Sequence, residues 1–286
     1  MSQHKIALVT DSTCDLPPAL REHYNIHVVP LSIIWGDETL REGIDIQPED
    51  FYRRLAIDPT YPTTTQPTPK AFVDVYEAAQ AQGAEAIVAI TISSAMSGTY
   101  ESARLAASLV DIPVHLVDSK SNSMSLGWQL LAAARMRDAG GSVEAMMDAA
   151  NATRERMVYM ISLDTLDYLH KGGRIGGASK FIGTLLNLKP QIFVNHQTGE
   201  VEAGRRTRTR KKALAALYQD FFEQLDTTKP IRIAVLHNAA RPDAEAIAMR
   251  IKNEFSPVEL IISIVSPVLG VHTGPRAIAL CGYTEG

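Results

Sequence analysis

Cysteine is scarce in this chain. Cys14 and Cys281 are the two present in 286 residues, and they sit at opposite ends with no CxxC spacing. This argues against a disulfide scaffold and makes a reducing cytosol the expected compartment. Aromatic residues are also few, at 6%, beside 45% hydrophobic and 21% charged residues. Those proportions are ordinary for a globular protein and exclude collagen-like and disordered chains. A long apolar run is missing as well. Val258–Val271 is the longest stretch, and it is interrupted by Glu259, Ser263, Ser266 and Pro267. It falls short of the roughly 20 residues a membrane span needs. The apolar stretch Ile6–Val9 is too short for a signal-peptide h-region. A cytoplasmic chain without stable membrane insertion is expected, with transient membrane contact left open. The net charge of −4 argues against a dedicated nucleic-acid binder. The length suits two domains and a core that needs no staples.

Common chemical motifs are absent too. No GxGxxG follows the first strand-like run, and there is no GxSxG or HExxH. The spacing Gly172…Gly177 imitates a phosphate loop, but Ala178 stands where lysine must be. His23 and His27 lie on a helix end and a strand, so a metal pair there is not expected. Asp11 follows the first strand, yet Thr13 occupies the position of a helper carboxylate, so Asp11 and Asp15 read as loop-ordering side chains. No metal, cofactor or catalytic residue is expected.

What is present is an alternation of short β-branched runs and helical patterns. Strands are expected at Ile6–Val9, His27–Ile34, Ala86–Ile92 and Val114–Val117, and helices at Thr68–Ala81, Ser97–Leu109 and Ser123–Ala139. That order implies an α/β fold with an open, mostly parallel sheet and a site at the strand C-termini. The second half reads as a mixed α+β domain. It has strands at Met157–Ser162, Gln191–Asn195, Glu200–Thr207, Ile231–Leu236, Glu259–Val265 and Ala277–Tyr283, with helices at Lys211–Leu225 and Asp243–Phe255. The expected domains are 1–155 and 156–286.

Three hydroxyl-rich loops stand at predicted strand ends: Thr63–Thr68, Ser93–Thr99 and Asp118–Ser121. Each reads as helix capping, since Ser and Thr are preferred N-caps. Together they also read as an anion or carboxyl site, because helix N-termini present free N–H groups and partial positive charge. No Lys or His lies within the first two loops, so they suit holding a polar head better than activating a serine. The stretch Gly270–Arg276 reads as a rigid loop presenting His272. It could equally be a satisfied turn. Neutral His272 could bond a carboxyl at the same crevice. Six cations fall in Arg205–Lys212. Arg206, Arg208 and Arg210 are expected on one side of an extended segment, with Arg174 adding to them. No aromatic platform is interleaved, which disfavours nucleic acid and favours an acidic partner or a phosphate.

These loops resemble the DegV family of bacterial fatty-acid-binding proteins. The likeness rests on Thr10–Leu16, on Pro62–Thr68, on Ser93–Tyr100, on Tyr168–Ile175 with Leu186–Pro190, and on Gly270–Pro275. It runs nearly end to end. One departure is Arg276, where the family has glycine. The resemblance implies two domains enclosing one long-chain fatty acid, such as palmitate, stearate or oleate. It implies no enzyme but a carrier that presents the carboxyl to a separate ATP-dependent fatty acid kinase subunit for acyl phosphate formation. By this resemblance Thr64 and the Ser93/Ser94 pair would hold the carboxyl, and the neighbouring Thr65, Ser97, His272 and Thr273 are expected to join them. His272, Arg174, Arg205 and Arg206 would serve docking or phosphoryl transfer.

Burying about 15 methylenes gains roughly 12 kcal/mol gross, part of which is returned in ordering and lost translation. Useful affinity therefore needs an enclosed apolar tunnel with a polar end. Phe181, Ile182, Leu185, Leu186, Ile192, Val194, Ile262 and Ile264 are expected to line it, although apolar residues at these spacings equally make an ordinary core. A second reading is a small-molecule phosphotransferase or esterase using Ser93–Thr99, with His272 as the base. A third is a regulatory binding module.

Overall fold

The structure is a computed structural model. It describes residues 5–181 and 188–286. The strands are β1 (Ile6–Asp11), β2 (Ile26–Val29), β3 (Ser32–Trp35), β4 (Glu38–Arg41), β5 (Thr63–Thr65), β6 (Ala86–Thr91), β7 (Val114–Asp118), β8 (Met157–Ser162), β9 (Lys189–Asn195), β10 (Glu200–Thr207), β11 (Ile231–His237), β12 (Glu259–Ile264) and β13 (Ile278–Thr284). The helices are α1 (Pro18–His23), α2 (Pro48–Leu55), α3 (Pro69–Ala81), α4 (Thr99–Ala107), α5 (Ser123–Asp138), α6 (Val143–Glu155), α7 (Asp167–Lys171), α8 (Arg210–Gln224), α9 (Arg241–Phe255) and α10 (Pro267–Thr273).

Among the described residues, β2-β1-β6-β7 form a four-stranded sheet, and its neighbours all run parallel. Its strands are apolar runs because helices cover both faces. The chain reverses its direction of sheet growth between β1 and β6, where an open α/β sheet leaves a crevice. Asp11 ends β1 at that point. It is fully buried and accepts hydrogen bonds from the Ile92 amide at 2.7 Å and the Thr13 amide at 3.0 Å. It orders the crevice, as its loop position suggested.

The second half supplies a six-stranded mixed sheet, β10-β9-β8-β13-β11-β12. A third, small antiparallel sheet, β4-β3-β5, projects from the first half. The expected single strand His27–Ile34 is therefore two strands in two sheets. Pro30 stands between them; it lacks an amide donor and fixes its φ, so the first ladder stops there.

Helix α5 is wedged between the two larger sheets. Its sequence is apolar around most of its circumference, as a helix buried on all sides requires. Met124, Leu126, Trp128 and Leu130 share one core with Leu8, Val88 and Ile90 of the first sheet and with Tyr159, Cys281 and Tyr283 of the second. Trp128 meets the Tyr283 ring edge-on at 5.8 Å, and Arg135 pairs with Glu259 at 2.6 Å. Trp128→Ala would cost about 3–5 kcal/mol at such a site. No helix among the described residues is long and apolar enough to cross a membrane.

The stretch expected to be a loop around His272 is mostly helix. Ser266 precedes Pro267 at the first helical position, which is an N-terminal signal in its own right. Two buried carboxyls from the first half hold this end: Asp15 accepts from the Ser266 amide at 2.9 Å, and Glu42 from the Val268 amide at 2.6 Å. Helix α10 thus spans from a carboxyl-bound N-terminus to His272 at its other end.

Candidate functional site

The C-terminal ends of β6 and β7, the strand β5, and the second sheet with α10 enclose a cavity. It holds about 1070 Å³ of atom-free space, the open mouth included. Its composition divides in two. Toward the second sheet the wall is apolar: Tyr159 and Ile161 from β8, Ile192 and Val194 from β9, Val201 from β10, and Ala277 and Ala279 at the start of β13. The two alanines leave room that larger side chains would fill. The polar lining residues are Thr64, Thr65, Gln66, Ser97, Asn122, Arg174, Asn238, His272 and Thr273, while Leu31, Ile92 and Met96 of the first half and Leu169, Val265, Val268 and Leu269 add further apolar surface.

Thr64 and His272 meet across the mouth. The Thr64 hydroxyl lies 2.9 Å from His272 Nε2. Pairing of β5 with β3 places Thr64 opposite Ile33 and turns its hydroxyl toward α10. Burial, and then the Arg174 charge, push the His272 pKa down from 6.5 to about 4. The ring is therefore neutral near pH 7, with one nitrogen donating and one accepting. Its Nδ1 is buried with no hydrogen-bond partner. Gly172 is packed against this ring so closely that a Cβ there would overlap Nδ1. Gly274, at positive φ, likewise leaves no space between itself and the Tyr168 ring. The glycines of both motifs thus serve close approach around His272. Arg174 reaches the Gly172 carbonyl at 3.1 Å and the Met96 carbonyl at 3.5 Å, which sets its cation at the mouth.

Ser97 and Thr273 are present at the cavity and are held by neighbours. Ser97 lies 2.8 Å from the Thr99 hydroxyl, and Asn238 donates to Thr273 Oγ1 at 2.7 Å. Thr65 lines the same mouth from β5. Gln66, Asn122 and Asn238 are additions. The sequence signal for Asn238 was its place directly after β11, and for Asn122 its place after the third hydroxyl loop.

Ser93 and Ser94 are not brought to the cavity. Ser93 is buried and donates to the Gly199 carbonyl at 2.8 Å, fastening the tip of the β9–β10 hairpin to the first half. Ser94 turns outward and donates to Asp118 at 2.5 Å. The reason is geometric: the 3-residue turn after Ser93, closed by the Met96 amide on the Ser93 carbonyl at 3.0 Å, carries only Met96 and Ser97 inward. The third loop uses its serines on itself, Ser119 donating to the Ser121 carbonyl at 3.0 Å.

The basic run is also divided. Arg205 and Arg206 lie on β10, outside the cavity wall, and Arg205 pairs with Asp220 at 2.6 Å. The β9–β10 register slips by one residue between Ala203 and Arg206. The expected one-sided row of Arg206, Arg208 and Arg210 is broken beyond that bulge, because β10 ends at Thr207. Arg210 is no longer in the extended segment: it starts α8 and pairs with Asp243 at 2.5 Å. Of the expected tail-lining residues, Ile192 and Val194 are in the wall. Ile262 and Ile264 are not, because β12 is the far edge of the six-stranded sheet; Ile262 packs beside α8 and α9, and Ile264 beside α2 and α10. The Phe181 side chain, Ile182, Leu185 and Leu186 lie outside the described residues, as does the Leu186–Asn187 part of its motif.

A family model described as an uncharacterised protein of the DegV family matches residues 5–285. The chain belongs to the DegV family. It is 37% identical over 277 residues to a DegV domain-containing protein of Streptomyces coelicolor, covering 96% of each chain. It is 32% identical over 278 residues to the protein DegV of Bacillus subtilis, covering 96% of this chain and 98% of that one. Among solved structures it is similar to a fatty-acid-binding DegV family protein from Thermus thermophilus, with a TM-score of 0.91 at 33% identity over 98% of this chain and 99% of that one. It is also similar to a stearic-acid-binding protein from Eubacterium ventriosum, with a TM-score of 0.89 at 28% identity over 98% of each. This DegV chain therefore shares a fold with proteins that bind fatty acids.

Proposed function

We propose that this DegV protein binds one long-chain fatty acid, with the carboxyl among Thr64, Thr65, Ser97, His272 and Thr273 and the tail against β8, β9, β10 and β13. The observation that carries the reading is one cavity whose lining joins hydroxyls, His272 and Arg174 to the apolar residues of β8, β9, β10 and β13. Neutral His272 and the hydroxyls supply hydrogen bonds, and Arg174 supplies charge without a paired carboxylate among the described residues. In an apolar surround such charge-assisted bonds are stronger than neutral ones. Palmitate added to delipidated protein should bind with a stoichiometry near one. The absence of saturable uptake would reject the proposal.

The bound acid would be presented to a separate ATP-dependent kinase that phosphorylates the carboxyl. Arg174 at the mouth, with Arg205 and Arg206 on β10, would meet the kinase or the transferring phosphoryl group. Charge reversal at Arg205 and Arg206 should leave palmitate binding intact and slow phosphorylation by such a subunit. An unchanged rate would remove these two residues from docking.

The rival use of Ser93–Thr99 as a nucleophile loop finds little support. The hydrogen bond of His272 goes to Thr64 and not to a serine, and a histidine with a pKa near 4 is a weak base. No partner orients Nδ1 as a triad would.

A further inference from the structure

Strands β8 and β9 are neighbours in the six-stranded sheet, yet their ladder is short. It joins Met160 to Phe193, Ile161 to Ile192 and Ser162 to Gln191, and stops there. Both strands continue. β8 stays paired with β13 as far as Met157, and β9 stays paired with β10 as far as Asn195. Met157–Tyr159 and Val194–Asn195 therefore lie opposite one another with no ladder between them, and the sheet is split at this end. A second cavity occupies the split. Its lining includes buried Met157 and Met160 and half-buried Phe193, but also exposed Glu155, Gln197 and Gln224, so it runs from the surface into the sheet. Tyr159 and Val194 line this cavity and the ligand chamber alike.

A continuous ladder would seal the chamber between these strands, because parting them would leave buried backbone groups unpaired. At the split that cost is absent: Tyr159 and Val194 can part without breaking a ladder bond. Beyond them Met157, Val158, Met160 and Phe193 continue the apolar surface offered to a hydrocarbon chain. The two methionines can reshape around whatever lies against them. We infer that the split is a second opening of the ligand chamber, and that very-long-chain acids such as docosanoate bind with the methyl end passing through it. This rests on the fatty-acid reading above and extends it to chain length. In a chamber closed at Tyr159 and Val194, methylenes beyond its capacity would have to overpack the wall. In one open at the split they leave the chamber and lie between β8 and β9.

The test compares palmitate and docosanoate binding to the delipidated full chain. Docosanoate should bind within about tenfold of palmitate. A larger loss overturns the inference while leaving the fatty-acid reading intact, and this comparison needs no variant. A second measurement follows the methyl end. Cys14 and Cys281 are buried, so Gln224→Cys, at an exposed position lining the split, can be labelled alone with an environment-sensitive fluorophore. Docosanoate should shift the emission to the blue, and palmitate should leave it unchanged. Bound docosanoate without a shift, or an equal shift with palmitate, overturns the passage of the tail through the split. Failure of both acids to bind sinks the fatty-acid reading and the inference together.

Discussion

Helix α10 is treated differently at its two ends. At the N-terminus, backbone amides of Ser266 and Val268 are taken by two carboxyls of the first half, Asp15 and Glu42. At the C-terminus, His272 and Thr273 face the cavity, and His272 Nδ1 is left without a partner. Both ends join the same two halves of the molecule. One join sets buried carboxyls on backbone amides, and the other sets His272 and Thr273 in the lining of the cavity. The contrast shows where a ligand belongs: at the join whose side chains line a cavity with an apolar wall.

The sharpest way to break that comparison is at the cavity end. Thr64→Val combined with His272→Ala should weaken palmitate by about 30-fold, at about 1 kcal/mol per lost hydrogen bond. Methyl palmitate, which makes fewer charge-assisted bonds there, should weaken far less. Equal losses for acid and ester, measured by displacement of a fluorescent acyl probe, would remove the carboxyl from this end. The closed joins should behave in the opposite manner. Ser93→Ala, which strands the buried Gly199 carbonyl, should cost about 1–3 kcal/mol in denaturant unfolding. Its ratio of acid to ester affinity should stay that of wild type; a changed ratio would return Ser93 to the carboxyl site.

The N-terminal end of α10 carries a pH signature. Burial, opposed by hydrogen bonds from Ser12 and Val268 and reinforced by the charges of Asp15 and Asp11, raises the Glu42 pKa from 4.5 to about 8. Burial raises that of Asp15 from 3.8 to about 7. The folded state then holds more protons than the unfolded state between these values. Stability is present below the unfolded pKa values and is lost as pH rises through the folded ones. The Tm of wild type should fall between about pH 5 and about pH 9, and Glu42→Gln should flatten part of that fall. Parallel profiles would show that Glu42 is ionised in the folded protein throughout. Beyond the C-terminal end, Arg276 sits at a φ of 65°, a backbone region that favours glycine. Its backbone is held on both sides, the amide on the Asn238 carbonyl at 2.7 Å and the carbonyl by Arg210 at 2.8 Å. Arg276→Gly should raise stability slightly, by up to about 1 kcal/mol, with a loss of stability showing that the Arg276 side chain matters more than its strained backbone.

The sequence made the element order readable because strand and helix periods alternate cleanly from Ile6 to Ala139 and again from Met157 onward. Helix α10 differs from the expected loop: Gly270 and Gly274 suggest a loop, whereas Ser266–Pro267 is a helix start. Two of the six hydroxyls expected at the site, Ser93 and Ser94, stand away from the cavity. Ser93, Ser94 and Ser97 look alike along the chain, and only the turn after β6 decides that Ser97 faces the cavity. The apolar wall posed the same difficulty. Ile192 and Ile262 have similar surroundings in sequence, and it is strand order, with β9 beside β8 and β12 at the far edge, that separates them. The split between β8 and β9 is hidden in the same way, because both strands are longer than the ladder that joins them.

The central claim is that the cavity holds a long-chain acid. Mass spectrometry of the protein purified from cells under native conditions, followed by extraction of its lipid, tests this most directly. The account predicts one acyl chain per protein molecule, released as a free acid. Repeated preparations with no bound acid, and with no uptake of added palmitate, would contradict it.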